Sequence, residues 1–481
     1  MVFSSVTFLL YFFPLFLVCY YLSPKQFKNT VVLLFSVFFY SWGAPKFVFL
    51  LLGSTFLDFY LVQWMHNTEE QKRKKLLLGL SIALNLGLLA FFKYANFFVE
   101  NVNALLGQMG VGQVPWLKIA LPIGISFYTF QTLTYSIDVY RKVHKPLVRV
   151  WDYLLYIMMF PQLIAGPIVR FNTIADQIEG RKETANDRLL GFYRFCIGLG
   201  KKVLIANVLG AAVASILGEG VEGLQHINWD QLSTPIAWWC ILAYTLQIYF
   251  DFSGYSDMAI GIGRMIGFTF PENFDNPYVS KSISEFWRRW HITLGAWMRE
   301  YLYIPLGGNR VKSKGRVYFN LWFVFLMSGL WHGASWSFVI WGAYHGLFLV
   351  LERLFLKKIL ERLGTIISLV YTFFVVVLGW VVFRIEDISV AIRFYKKLFA
   401  FDFRAIALPF STEFFVIFFI GLAFAFSTLL KPIKKTQDLV FFGEYKNWQI
   451  LVMFVIAILL FTFSLSVIAA GGFNPFIYYR F

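Results

Sequence analysis

Three histidines of this chain sit where an imidazole could do chemistry. His332 lies in Ser328-Gly329-Leu330-Trp331-His332-Gly333-Ala334-Ser335-Trp336, between apolar runs at 317–330 and 338–350. His345 follows in Tyr344-His345-Gly346, and His291 closes Trp287-Arg288-Arg289-Trp290-His291. An ionisable side chain among apolar runs is costly and marks a functional site. An imidazole, with its ordinary pKa of about 6.5, can take a proton from a hydroxyl or carry an acyl group. The same His332 is also compatible with a structural role, hydrogen-bonded between helices. His345 reads as a structural or orienting residue that faces His332 if the two apolar runs form a hairpin. His291 is equally compatible with a site role and with an interfacial one. Gly333 would let a substrate or another segment approach the backbone.

Charged residues gather near these histidines. Arg288, Arg289, Arg299 and Arg310 form a positive patch, and guanidinium forks suit phosphate groups such as those of a nucleotide donor. Loop charge that sets topology, or contact with anionic lipid, accounts for the same residues. Asp251 and Asp257, at the end of an apolar run, call for a cation partner such as an arginine, a cavity, a proton relay or a structural polar network. No motif of a serine hydrolase, a P-loop NTPase or a zinc protease occurs in a credible context. Cys19, Cys196 and Cys240 have no paired spacing, so neither a disulfide framework nor a metal site is expected.

These residues must be held in a membrane. The chain is 58% hydrophobic and only 15% charged, far from the composition of soluble domains. Apolar runs at 5–22, 29–42, 46–65, 76–92, 117–138, 151–170, 190–217, 234–256, 317–332, 335–352, 363–383, 412–430 and 447–470 predict an all-α polytopic protein. It should have about 11–13 spanning or re-entrant helices in a single domain over 1–481. Residues 5–22 lack a basic leader and a cleavage site, so they read as an uncleaved span. Leu121-Pro122-Ile123-Gly124 and Phe160-Pro161…Gly166-Pro167 break two runs and predict kinked or re-entrant segments.

Basic loops at 25–28, 72–75, 141–149, 310–316, 353–358 and 431–435 fall on one face, which the positive-inside rule makes cytoplasmic, with the N-terminus outside. His332 then lies toward the outer half. The +16 net charge has no soluble basic domain to carry it, so nucleic acid is not expected as a partner. Residues 388–399 read as an amphipathic helix in the outer interface. The stretch 280–303 reads as a charged, aromatic helix begun by Ser280–Ser284, with Glu285 and Arg289 as i,i+4 partners, ending before Pro305.

The runs Phe274-Asp275-Asn276-Pro277-Tyr278, Ser284-Glu285-Phe286-Trp287-Arg288-Arg289-Trp290-His291-Ile292-Thr293-Leu294, Tyr301-Leu302-Tyr303-Ile304-Pro305-Leu306-Gly307-Gly308-Asn309-Arg310 and Gly329-Leu330-Trp331-His332-Gly333-Ala334-Ser335-Trp336 resemble the membrane-bound O-acyltransferase (MBOAT) family. Their likeness is greatest to its alginate O-acetyltransferase branch, as are 121–131, 160–168 and 249–257. The resemblance covers about residues 1–400, with the family core at about 110–400 and further helices at 412–470.

It implies a multi-pass protein of the inner (plasma) membrane with His332 as the catalytic histidine and His291 as the second motif histidine. It implies acetyl-CoA as the acyl donor, docking at Arg288, Arg289, Arg299 and Arg310, with no permanently bound cofactor. The product would be an O-acetylated extracytoplasmic polysaccharide such as alginate, made through an SGNH-type partner, with membrane lipids as surroundings. Trp331 and Trp336 would wall the site against water. D-alanyl transfer to teichoic acid from a carrier protein is the alternative within the superfamily; a non-enzymatic transporter is the alternative outside it.

Overall fold

The computed structural model describes residues 1–404, 408–443, 445–471 and 473–474, without the side chain of Val221. Among the described residues the chain is helical, with one isolated antiparallel bridge, Phe274 to Trp290. Seven helices among the described residues are long and apolar enough to cross a membrane. Contacts divide the described residues into two compact units, one of Met1–Gly191 and Ala259–Pro271, the other of Phe192–Met258 and those from Glu272 onward.

The first unit is built on α1 (Thr7–Leu22), α2 (Lys28–Gly43), α3 (Phe47–Asn67), α4 (Gln71–Gln108), α5 (Ile125–Tyr140) and α6 (Val150–Met158). Its core holds a carboxylate, Asp58 of α3, which is fully buried. Ser81 (2.5 Å) and Asn85 (2.9 Å) of α4 donate to it, as do Ser136 (3.4 Å) of α5 and Tyr153 (2.6 Å) of α6. Donors from three helices replace the water that a carboxylate loses at membrane depth, which ties the four helices together.

The two Pro/Gly breaks expected from sequence meet here. The run 117–138 is helical only from Ile125, and 151–170 divides into α6 and a short turn of helix at Phe160–Leu163. Gly124 has φ +78°, and a Cβ there would come within 2.7 Å of the Leu163 carbonyl oxygen. Only glycine fits both the left-handed backbone and that approach.

The second unit contains most of α7 (Ala185–Leu217) and of α8 (Thr234–Met265), followed by two short helices, α9 (Ile283–Arg289) and α10 (Ile292–Trp297). The hairpin α11 (Lys314–His332) and α12 (Trp336–Leu363) comes next, then α13 (Thr365–Arg384), α14 (Ile388–Leu398), α15 (Thr412–Leu429), α16 (Lys431–Phe442) and α17 (Asn447–Ala469). The hairpin is close because small residues face each other: the Gly329 and Gly342 Cα positions abut, and a Cβ on Gly342 would meet the Phe325 carbonyl at 2.5 Å.

Asp251 pairs with Lys202 at 2.7 Å, and Asp257 pairs with Arg194 at 2.6 Å and Lys201 at 2.7 Å. The carboxylates therefore take cation partners, one of the roles open from sequence. Helix α14 forms where expected, capped by Asp387, but its buried face is Ala391, Phe394 and Leu398, while Ile392 points outward.

One expectation is corrected. Residues 280–303 are not a single helix: the chain breaks at Trp290–His291, and His291 takes a left-handed backbone with φ +46°. The break follows from tertiary pairing. Asp275 N–H donates to the Arg289 carbonyl at 2.9 Å, and Ile292 N–H donates to the Asn273 carbonyl at 3.0 Å. These strand-like bonds to a segment outside the helix outweigh its continuation.

Candidate active site

Within the second unit, the break places His291 in the interior. Its ring lies 4.8 Å from that of Phe252, nearly perpendicular, and 6.0 Å from that of Trp331. His291 Nδ1 sits 3.0 Å from Asn273 Oδ1. The Asn273 amide is oriented by its Nδ2 donating to Ser256 Oγ at 3.1 Å and by Thr293 Oγ1 donating to its Oδ1 at 2.8 Å. A carbonyl oxygen only accepts, so the proton of the neutral imidazole resides on Nδ1 and the lone pair on Nε2. Nε2 is buried and has no hydrogen-bond partner among the described residues. Burial pushes the His291 pKa down to about 3, because desolvation disfavours the cation. The ring is thus a neutral acceptor with one nitrogen available.

His332 is the last residue of α11 and is buried. Its ring meets Trp331 at 5.0 Å, Trp341 at 5.1 Å and Phe383 at 5.3 Å, all at steep angles. Trp331 therefore contacts both motif histidines. The hairpin also brings in His345, whose ring is 5.0 Å from Trp341 and 5.0 Å from Trp287. Neither nitrogen of His345 has a hydrogen-bond partner among the described residues. His345 and His332 thus both contact the Trp341 ring, without a hydrogen bond between them.

Two residues near His332 lie differently from what the sequence suggests. Trp336 is 53% exposed at the start of α12, whereas Trp341, five residues on, is buried beside His332. The helix period, which sets which side of α12 faces α11, decides between them. Gly333 does not present open backbone: the space a Cβ would take is filled by the Phe338 ring.

The arginines separate into two kinds. Arg289 is held by Glu285 Oε1 at 3.0 Å and Asp275 Oδ2 at 3.1 Å, and Asp275 also binds Lys434 at 3.2 Å. The Glu285–Arg289 pair is the one expected from spacing. Arg288 and Arg310 are exposed, and Arg299 is exposed with Glu300 at 3.5 Å.

Two positioning residues were not singled out from sequence. Asn273 lies just ahead of the Phe274 motif, and nothing local marks it. Glu352, buried in α12, accepts from Ile283 N–H at 2.5 Å and from Ser284 N–H at 2.9 Å. It satisfies the first donors of α9 alongside the Ser282 cap, whose hydroxyl accepts from Glu285 N–H at 3.0 Å. A lone glutamate in an apolar run at membrane depth was the available signal.

The arrangement offers two buried imidazoles, one of fixed tautomer, in aromatic surroundings that hold no metal-binding cluster among the described residues. Such a pair suits proton transfer at a hydroxyl. The model of the membrane-bound O-acyltransferase family matches residues 6–362. The chain is 40% identical to a probable alginate O-acetylase, AlgI, of Pseudomonas putida, over 100% of both chains, so that likeness continues through the helices beyond residue 400. It is 36% identical to a peptidoglycan O-acetyltransferase of Helicobacter pylori over 83% of this chain and 80% of that one. It is 30% identical to a teichoic acid D-alanyltransferase of Bacillus subtilis over 54% of this chain and 68% of that one. A multi-pass chain with this histidine pair and this match across most of its length is an O-acyltransferase and belongs to the membrane-bound O-acyltransferase family.

Proposed function

We propose that the protein transfers an acetyl group from acetyl-CoA to O-acetylate an extracytoplasmic polysaccharide of the alginate kind, through an SGNH-type partner. The observation that carries this reading is the buried His291–Trp331–His332 cluster, joined to the O-acetylase names of the relatives that match most of the chain. The basic loops favour the plasma membrane with the N-terminus outside.

His332 acts as general base. It takes the proton as the acceptor hydroxyl oxygen attacks the thioester carbon, and returns it to the departing thiolate. His291 Nε2 accepts a hydrogen bond from the acceptor hydroxyl or from the departing thiol and orients it. Trp331, Trp341 and Phe383 exclude water, which would otherwise hydrolyse the thioester. Arg288, Arg299 and Arg310 attract the donor's phosphates, while Arg289, already bound to two carboxylates, mainly shapes the turn beside them.

The test is acetyl transfer from labelled acetyl-CoA by purified, folded His332→Ala. Loss of at least about 100-fold is expected for a missing general base; wild-type turnover would sink the assignment. The same assay supplied with a D-alanyl carrier protein in place of acetyl-CoA separates the alternative donor. Catalysis in detergent separates an enzyme from a transporter.

A further inference from the structure

The first unit carries a basic cavity that the acyl-transfer reading does not use. It has a volume of about 490 Å³ and is lined by Met65, His66, Lys74, Val139, Tyr140, Lys142, Val143, His144 and Lys145. Three lysines and two histidines converge from two separate stretches, the α3–α4 turn and the end of α5, and no carboxylate lines the space. None of the three lysines is in an ion pair among the described residues. Glu69 and Glu70, in the same turn as His66, are exposed and outside the lining.

Helix ends do not neutralise this charge. The C-termini of α3 and α5 and the N-terminus of α4 each contribute roughly half a charge, leaving roughly −0.5 against three ammonium groups. The tendency of loops on one face to be basic explains the sign of the charge, but not its convergence on one cavity.

A second observation concerns Lys142. Helix α5 ends with Val143 N–H donating to the Asp138 carbonyl at 2.9 Å and Lys142 N–H donating to the Val139 carbonyl at 3.1 Å. This is the helix ending in which glycine normally takes the left-handed position. Here that position, with φ +59°, is a lysine. A side chain is kept where glycine would relax the backbone, and the residue that carries it lines the cavity.

The geometry points to a binding site for a phosphate-bearing anion in this cavity, either the headgroup of an anionic phospholipid or a soluble phosphate compound. The size suits a headgroup or small ligand, and basic pockets between membrane helices recognise phospholipid headgroups through this chemistry. Met65, Val139 and Val143 supply the apolar side of the site.

The experiment titrates the full-length protein in neutral detergent with dihexanoyl phosphatidylglycerol, dihexanoyl phosphatidylcholine and inorganic phosphate by calorimetry. Saturable binding of the glycerol lipid or of phosphate is expected, with the zwitterionic lipid weaker. Lys142→Gly should weaken it about fivefold, and Lys74→Gln with Lys145→Gln should weaken it further. Because glycine favours that backbone, Lys142→Gly keeps the fold and its loss of binding cannot be ascribed to unfolding. Glycerol-lipid binding that phosphate does not displace identifies a lipid headgroup; displacement by phosphate identifies a soluble compound. Equal binding by wild type and variants, or no saturable binding of any probe, overturns the site.

Discussion

Asn273 Oδ1 stands 3.0 Å from His291 Nδ1 and decides which nitrogen of that imidazole keeps its lone pair. Neither residue announces this in the sequence, because the contact exists only after the chain turns at Trp290. The amide is itself clamped by Ser256 and Thr293, so the tautomer is set by three side chains from separate stretches. Outer contacts of this kind hold reactive groups within the tolerance that chemistry needs.

Asn273→Ala should therefore lower kcat of acyl transfer by about tenfold or more while the protein still folds, since the removed group leaves the imidazole free to rotate and change tautomer. Asn273→Asp, which keeps an acceptor oxygen facing Nδ1, should recover part of the rate. Steady-state kinetics on both variants checks this. Equal rates for Asn273→Ala and wild type would remove Asn273 from the site.

Stability should fall on acidification through His291. Its pKa is about 3 in the folded protein against an ordinary value near 6.5. Between these values the unfolded chain binds the proton and the folded one does not, so stability drops as pH falls from about 6.5 toward 3. The slope approaches about 1.4 kcal/mol per pH unit for this one group. Thermal unfolding in detergent between pH 4.5 and 7.5 should show a flatter acid limb for His291→Gln than for wild type. Parallel limbs would show that His291 is solvated in the folded state.

Glu352 should control helix α9. Replacing it by Gln removes the negative charge at the first turn, at a cost of about 1–2 kcal/mol. Because α9 carries Arg288 and leads directly to His291, Glu352→Gln should raise the KM for acetyl-CoA as well as lower the melting temperature. A lower melting temperature with an unchanged KM would make Glu352 a structural cap only.

The composition and apolar runs were enough to establish a helical, multi-pass chain, because a membrane demands long stretches without charge and the sequence shows them directly. The Glu285–Arg289 pair was equally legible, since it depends only on helical spacing. His332 and His291 stood out as imidazoles in improbable surroundings, and the flanking motifs assigned them to a family. The break at His291, the burial of Trp341 rather than Trp336 beside His332, and the contacts of Asn273 and Glu352 were decided only by tertiary structure. Each depends on a partner distant in the chain: the Asn273–Asp275 segment, the α11–α12 hairpin, the donors of α9. Local propensity cannot register such bonds, and at Trp290–His291 they overrode it.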